Sequence, residues 1–458
     1  VSIISNSSPG EEDYRIIPKR EYKRALRNPY FRKLVIDSSL YEDEENSYYA
    51  GILNTVAEHC VGTVPLILGS SENQEANRSV ENKWLLWAAL NGIGESIRVI
   101  RREACKTGLG IGIPYVKEDV DPDDPVDPIG LRIRIVSSTK LSTPMGASVK
   151  DRIFNGIEYD SNWDPKKIYI QEFGSYEPKE YNVKDILFWT KYRGDESTWY
   201  HPECGPAFCL YPSVRRILNS VVAAEEFKAS MPMAVELDPS VYAPEDAKQV
   251  PTGSFKYQPN TVPTLPPGTK LVGMPPGTSS VDKVQFMKFL IAAAARCVNM
   301  PMNIAMGDSS GHNMATAAID IQPWQDRVKI DRFDFSRISH QVFNDWYRRA
   351  ILVSGYLDIR ARSKFSYELG YDKTFEHPDP QKRANSRSVD LASGATTLHR
   401  IFSEQGLNVE RELNKEAKTL GISREDLNKI LISIRASAPK MLEEKEEIDE
   451  QENENERR

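Results

Sequence analysis

Long apolar runs are missing from this sequence. No run exceeds the seven residues of 289–295, against the roughly 20 that a membrane-crossing helix needs, so a helical membrane-spanning protein is excluded. The first residues carry no basic-then-apolar leader, and nothing there marks the chain for export. Cysteine is scarce: five in 458 residues, scattered and odd in number. That argues against a disulfide framework and for synthesis in a reducing compartment. A basic excess is missing too. With 59 Lys+Arg against 66 Asp+Glu the net charge is −7, whereas proteins that grip many phosphates show the opposite balance. Tight clamping of DNA or RNA is not expected.

What is present is the composition of an ordinary globular protein, 40% apolar and 27% charged, long enough for about two to four domains. The negative charge is concentrated at one end. Residues 441–458 hold nine acids and three bases, −6 of the −7, which leaves residues 1–440 close to neutral and predicts a solvated, disordered acidic tail.

Residues 1–45 are polar and read as an extended N-terminal arm. A helix followed by a short strand is predicted over 46–68. One helix is predicted over 82–107, with Trp84, Trp87, Ile93, Ile97 and Ile100 spaced by threes and fours and Gly108 ending it. Strands are predicted at 112–116, 131–136, 153–159, 168–172 and 186–190, the first two separated by the loop DPDDPVDP, which makes a mixed α/β region. Residues 211–231 return to helix, with Val214, Ile217, Leu218, Val221 and Val222 on one stripe. Residues 251–278 carry seven prolines and four glycines and read as a small turn-rich module. The helix predicted over 279–298 is apolar on nearly every side in its last half, so it should be buried all round, between neighbouring subunits. A loop at 303–313 precedes a long helical pattern to about residue 352, with Pro323 expected to kink or interrupt it. The region 380–440 is helical, punctuated by Gly394, Gly406 and Gly421. No internal repeat is visible.

Four motifs are candidates for chemistry. GDSSG at 307–311 is similar to the loop that carries a nucleophilic serine in trypsin-like proteases, but the surroundings are helical and Ser310 replaces the second glycine. His201, Cys204 and Cys209, with His59 and Cys60 as remote partners, could begin a zinc site, yet the C-x₄-C spacing is loose and no second pair lies nearby. The glycines at 108, 110 and 112 precede a strand instead of linking a strand to a helix, so they do not form a phosphate cradle. Three prolines in the DPDDPVDP loop oppose an EF-hand ligand turn. No catalytic constellation, cofactor or metal is expected, and a structural or conduit role is favoured.

The order of elements resembles the portal proteins of tailed bacteriophages, particularly the lambda-like group. WAALNGIGESIRVIRREACKTG resembles the family's helix before a wing strand, and RIFNGIEYDSNWDPKKIYI its wing hairpin. SVRRILNSVVAAEEFKASMPM resembles the first stem helix, and GTSSVDKVQFMKFLIAAAARCVNMPMNIAMGD the second with its following loop. In the C-terminal stretch Asp379-Pro380, Lys382, Ala392, Gly394, Thr396 and Gly406 fall in step with the family's crown segment, while Asn408 stands where aspartate is common and HPECGPAF blurs the motif before the first stem helix.

The resemblance implies an α+β portal fold. It has an N-terminal arm (1–45), an α/β wing (46–212), a first stem helix (213–233) and a small α/β clip (234–278). A second stem helix (279–298), a tunnel loop (299–313), a long wing helix and return (314–375), a helical crown (376–440) and the acidic tail (441–458) follow. It implies a homododecameric ring at a capsid vertex of the virion, made in the host cytoplasm. Double-stranded DNA passes through its channel in packaging and ejection. Its partners would be the terminase large subunit, then adaptor and tail-neck proteins, and the major capsid protein, with no membrane. Asn303, Asp308, Ser309, Ser310, His312 and Asn313 would line the channel. Two other readings stay open: a different ring-forming connector or scaffold protein, and a hydrolase using Ser309 or Ser310.

Overall fold

The chain begins to fold earlier than its polarity suggests. The computed structural model describes residues 29–71, 73–147, 152–191, 200–229, 233–237, 269–273, 280–308, 314–357, 365–371, 380–404, 407 and 409–433. Of the arm expected over 1–45, residues 1–28 lie outside the described residues, and the remainder is helix α1 (Pro29–Glu45). Proline suits the first helical position, where its missing N–H is not needed. The helix is held by tertiary contacts that no local pattern announces: Val35 and Ile36 are buried, and the Ser39 hydroxyl reaches both Tyr49 Oη and the Lys106 carbonyl, each at 2.6 Å.

Helix α2 (Ser47–Val61) starts where Asn46 Oδ1 accepts the N–H groups of Tyr48 and Tyr49, a side-chain cap for orphan donors. Strand β1 (Leu66–Gly69) follows. The single helix expected over 82–107 is two, α3 (Gln74–Leu90) and α4 (Ile93–Thr107). The break falls at Asn91-Gly92, where Gly92 takes φ +60°, a left-handed conformation that glycine adopts without strain. Helix α4 then runs against the preceding chain so closely that a Cβ on Gly94 would lie 1.8 Å from the Thr63 carbonyl oxygen.

Strands β2 (Gly110–Val116), β3 (Leu131–Val136) and, after the next hairpins, β8 (Leu187–Trp189) form an antiparallel sheet in the order β3-β2-β8. The strand expected over 153–159 is a hairpin, β4 (Ile153–Phe154) and β5 (Ile157–Tyr159), turned at Asn155 and Gly156 with positive φ at both, as the mirror-image hairpin turn requires. β6 (Pro165–Ile170) and β7 (Lys179–Asn182) complete a four-stranded meander.

Two cores result. One packs Ile93, Ile97, Ile100 and Ala104 of α4 with Trp84, Trp87, Phe343 and Trp346; the Trp84 ring meets Phe343 and Trp346 edge-on at 5.3 and 5.4 Å. The other lies beneath the sheets and includes Ile111, Ile157, Ile168 and Tyr200.

By compactness the chain forms two units, one of residues up to Phe208 and from Ala292 onward, the other Cys209–Ile291. The second unit contains α5 (Tyr211–Ala229), the antiparallel pair β9 (Met233–Leu237) and β10 (Thr269–Gly273), and most of α6 (Ser280–Ala295). Helix α6 is not covered all round. Leu290 and Ile291 are buried, but Phe286 and Phe289 are 54% and 64% exposed and stack on each other at 6.4 Å.

Helix α7 (Met302–Met306) takes up the first four of the eleven residues of the expected 303–313 loop. The long helix α8 (Met314–Ala350) runs through Pro323 without interruption. Pro323 lies on the exposed side, where a carbonyl that loses its N–H partner can turn to water. A strand absent from the sequence reading, β11 (Tyr367–Gly370), pairs with β1. The C-terminal helices are α9 (Pro380–Ser393), α10 (Leu398–Glu404), α11 (Val409–Leu420) and a helix over 424–433. Gly394 and Gly421 separate them as expected, while Gly406 lies outside the described residues.

Candidate functional site

Of the six residues expected to face a channel, two are described. Asn303 sits in α7, 7% exposed, with its Oδ1 accepting the Ile304 N–H at 2.9 Å. It is a buried helical residue, not a loop residue. Gly307 ends α7 at φ +64°, and the Asp308 N–H donates to the Asn303 carbonyl at 3.2 Å. Ser309, Ser310, His312 and Asn313 lie outside the described residues.

The candidate zinc residues are separately engaged. His201 Nδ1 lies 2.7 Å from the Pro202 carbonyl, and His59 Nδ1 takes the Trp324 indole N–H at 3.3 Å. Cys60 lies 3.7 Å from the Asp331 carbonyl, and burial above all pushes its thiol well up. Cys105 hydrogen-bonds the buried Cys204 thiol, which is also raised, first by that bond and then by burial. Cys209 is exposed. Among the described residues no three His, Cys, Asp or Glu side chains are grouped to hold a metal ion.

What the structure brings together is a buried ion cluster that the sequence reading missed. Arg101 stands on the same helical face as Ile97, Ile100 and Ala104 and is fully buried. Its Nη1 lies 2.8 Å from Glu203 Oε1, its Nη2 2.8 Å and its Nε 2.9 Å from Asp331 Oδ2, and its guanidinium lies over the Trp189 ring at 4.8 Å. Arg327 reaches Glu203 at 3.2 Å and Asp331 at 3.4 Å, and Lys191 reaches Glu203 at 3.3 Å. Burial opposes the Glu203 carboxylate, but Arg101, Lys191 and Arg327 outweigh it and hold its pKa at about 2. Burial likewise opposes the Arg101 cation, and Glu203 and Asp331 more than restore it. Every charge here has a partner at contact distance, the arrangement of a structural clamp joining α4, the segment after residue 200 and α8. The signal was present as a charged residue on an apolar helical stripe, but its two partners lie more than 100 residues away.

A clamp, an aromatic core and an uncovered apolar helix face describe a scaffold. The sequence matches the model of the phage portal protein family, lambda family, over residues 35–332. That is well over half of the chain. The chain belongs to the lambda family of phage portal proteins. The family is structural, and its members serve as head-tail connectors of the virion. No curated protein matches the sequence. Among solved structures the chain is similar to one in the neck of an empty gene transfer agent particle computed with C6 symmetry. That pair has 14% identity and a TM-score of 0.40, over 81% of this chain and 93% of the other. It is also similar to one in the virion of a native gene transfer agent particle, at 13% identity and a TM-score of 0.41, over 83% and 94%. At this level neither likeness bears on what the chain does. No helix among the described residues is long and apolar enough to cross a membrane.

Proposed function

We propose that this portal-family chain forms a homo-oligomeric ring, a dodecamer at one capsid vertex, through which double-stranded DNA is packaged and later ejected. Membership of the portal family over residues 35–332 is the observation that carries this reading. The near-neutral body supports it, because a channel that must let DNA slide gains nothing from strong phosphate binding. So does the apolar face of α6, since a stacked, exposed Phe286–Phe289 pair is a surface that water disfavours and a neighbouring subunit could cover.

On this reading residues 46–212 and 314–375 form the wing, 213–233 and 279–298 the stem, 234–278 the clip, 299–313 the tunnel loop and 376–440 the crown. The clip receives the terminase large subunit first and adaptor and tail-neck proteins later; the rim meets the major capsid protein. With Asn303 turned into the fold, Asp308 to Asn313 are left for the channel wall, where hydroxyl and amide groups can bond phosphates and release them.

Phe289→Glu tests the ring directly. It is expected to leave the far-ultraviolet circular dichroism unchanged and to prevent ring formation, counted by negative-stain microscopy. Rings at wild-type yield would remove this face from the interface.

A further inference from the structure

At the edge of the core that includes Tyr159, Phe188 and Tyr200 lies a groove of about 850 Å³. One face of α8 lines it with Arg337, Gln341, Asn344 and Arg348, spaced by threes and fours. The two arginines are eleven residues apart, which sets them about 16 Å from each other along the helix. Over that length the volume gives a section of about 50 Å². That is the section of one extended chain, whose neighbours stand about 4.8 Å away within a sheet and about 10 Å away across stacked sheets. At about 3.3 Å per residue the groove holds about five residues of such a chain. An α-helix, about 10–12 Å across with its side chains, is too thick.

The rest of the lining includes four aromatic rings, those of Tyr159, Trp163, Phe188 and Tyr200. Trp163 is strained. Its φ is +64°, a left-handed conformation that bulky residues rarely take. The Asp160 carboxylate fixes the turn, accepting the N–H groups of Asn162 at 2.8 Å and Asp164 at 2.9 Å. The indole packs on Phe154 and Tyr159 at 5.8 and 6.1 Å but stays 48% exposed. Glycine would fit the same turn without strain, so an exposed indole held there points to a role beyond the turn itself.

Charge narrows the ligand further. Lys184, Arg337 and Arg348 outnumber Asp164 and Asp345 in the lining, which favours an acidic ligand, while the two carboxylates oppose a strand of phosphates. Arg337 is preset at the edge of β8. Its Nη2 donates to the Phe188 carbonyl at 3.0 Å, and Gln341 Nε2 beside it donates to the Ile186 carbonyl at 2.8 Å. The guanidinium has further N–H groups to offer a carboxylate.

We propose that this groove binds an extended segment of a partner protein, about five residues long, with acids at its first and fifth positions and apolar side chains at its second and fourth. Those acids stand about 13 Å apart, within reach of the Arg337 and Arg348 side chains. Successive side chains of an extended chain point to opposite sides, so the apolar pair lies on Trp163 and the neighbouring rings. Tryptophan, tyrosine and arginine are the residues that dominate binding energy at protein interfaces. The groove is built by one chain and needs no ring.

The test uses the full-length chain and the peptide acetyl-Asp-Phe-Ser-Leu-Asp-amide, with benzoylphenylalanine in place of its phenylalanine, irradiated and mapped by mass spectrometry. Crosslinks are expected in residues 159–165 and 183–190. Their yield should drop about tenfold in Arg348→Glu and in a peptide with lysine for both aspartates, as for loss of a charge-assisted pair. Trp163→Gly, which relieves the turn and removes the ring, should lower the yield to a similar extent. Arg348 is exposed, so its variant keeps the test sound where Trp163→Gly does not fold. Crosslinks elsewhere, an unchanged yield in Arg348→Glu, or equal labelling by the lysine peptide would overturn the proposal. Displacement of the peptide by pentathymidylate would make this a nucleic-acid groove and overturn it as well.

Discussion

Arg101 and Arg32 are both buried guanidinium groups, and they are provided for in different ways. Arg101 lies among α4, α8 and the segment after residue 200, and receives Glu203 and Asp331 from residues far along the chain, with Trp189 beneath its plane. Arg32 is buried beside the Tyr159 and Tyr200 hydroxyls, and among the described residues its Nε and Nη2 have no hydrogen-bond partner. The contrast shows that counter-charges and not burial decide the state of a buried guanidinium: ionisation is favoured at Arg101 and opposed at Arg32. Where the counter-charges come from the fold itself, the arginine is part of the scaffold. Where they do not, burial prevails and the ionisation of Arg32 is depressed.

The largest effect is expected at the closed end of that comparison. Arg101→Met leaves Glu203 and Asp331 buried with only the weaker contacts of Arg327 and Lys191, and should cost about 3–5 kcal/mol in urea unfolding, the range for breaking a buried pair. A loss below about 1 kcal/mol would show that Arg101 is no better provided for than an exposed ion pair.

Acid sharpens the same point. The folded Glu203 carboxyl is held at about 2, below the ordinary value near 4.3. Its contribution is therefore complete above that ordinary value and is lost as the pH falls through roughly 4 towards 2. Wild type and Glu203→Gln, compared by urea unfolding at neutral pH and at about pH 3, should differ less in acid. A gap that widens in acid would contradict the assignment.

The smallest effect is expected at an exposed pair. Arg134 meets Glu172 through Nη1 at 3.1 Å and Nη2 at 2.6 Å, but both side chains remain open to water. Arg134→Ala should cost no more than about 0.5 kcal/mol and less in high salt. A cost near that of Arg101→Met would remove burial as the deciding variable.

What the sequence made legible follows the range of the forces involved. Helix α2, strand β3 and the start of α5 are set by neighbours in the chain, through Asn46 as cap, period-two alternation and an apolar stripe, and they fall where expected. The break at Gly92 and the hairpin at Asn155-Gly156 were equally local, and both were passed over because an apolar run crosses them. Strand β11 is different: Tyr367–Gly370 becomes a strand because β1, about 300 residues earlier, offers a free edge. Helix α1 likewise depends on Tyr49 and Lys106, beyond any local window. At the site, the family resemblance was legible in ordered motifs, whereas Asn303 was misplaced because a five-residue helix carries almost no periodic signal. The partners of Arg101 come together only in the fold.

Above all, this chain is expected to assemble as a portal ring. Mass photometry of the purified full-length protein tests it most directly. A dominant species at about twelve times the 51.9 kDa chain mass is expected, with a central channel in class averages. A stable 51.9 kDa species at micromolar concentration, with no rings, would contradict it.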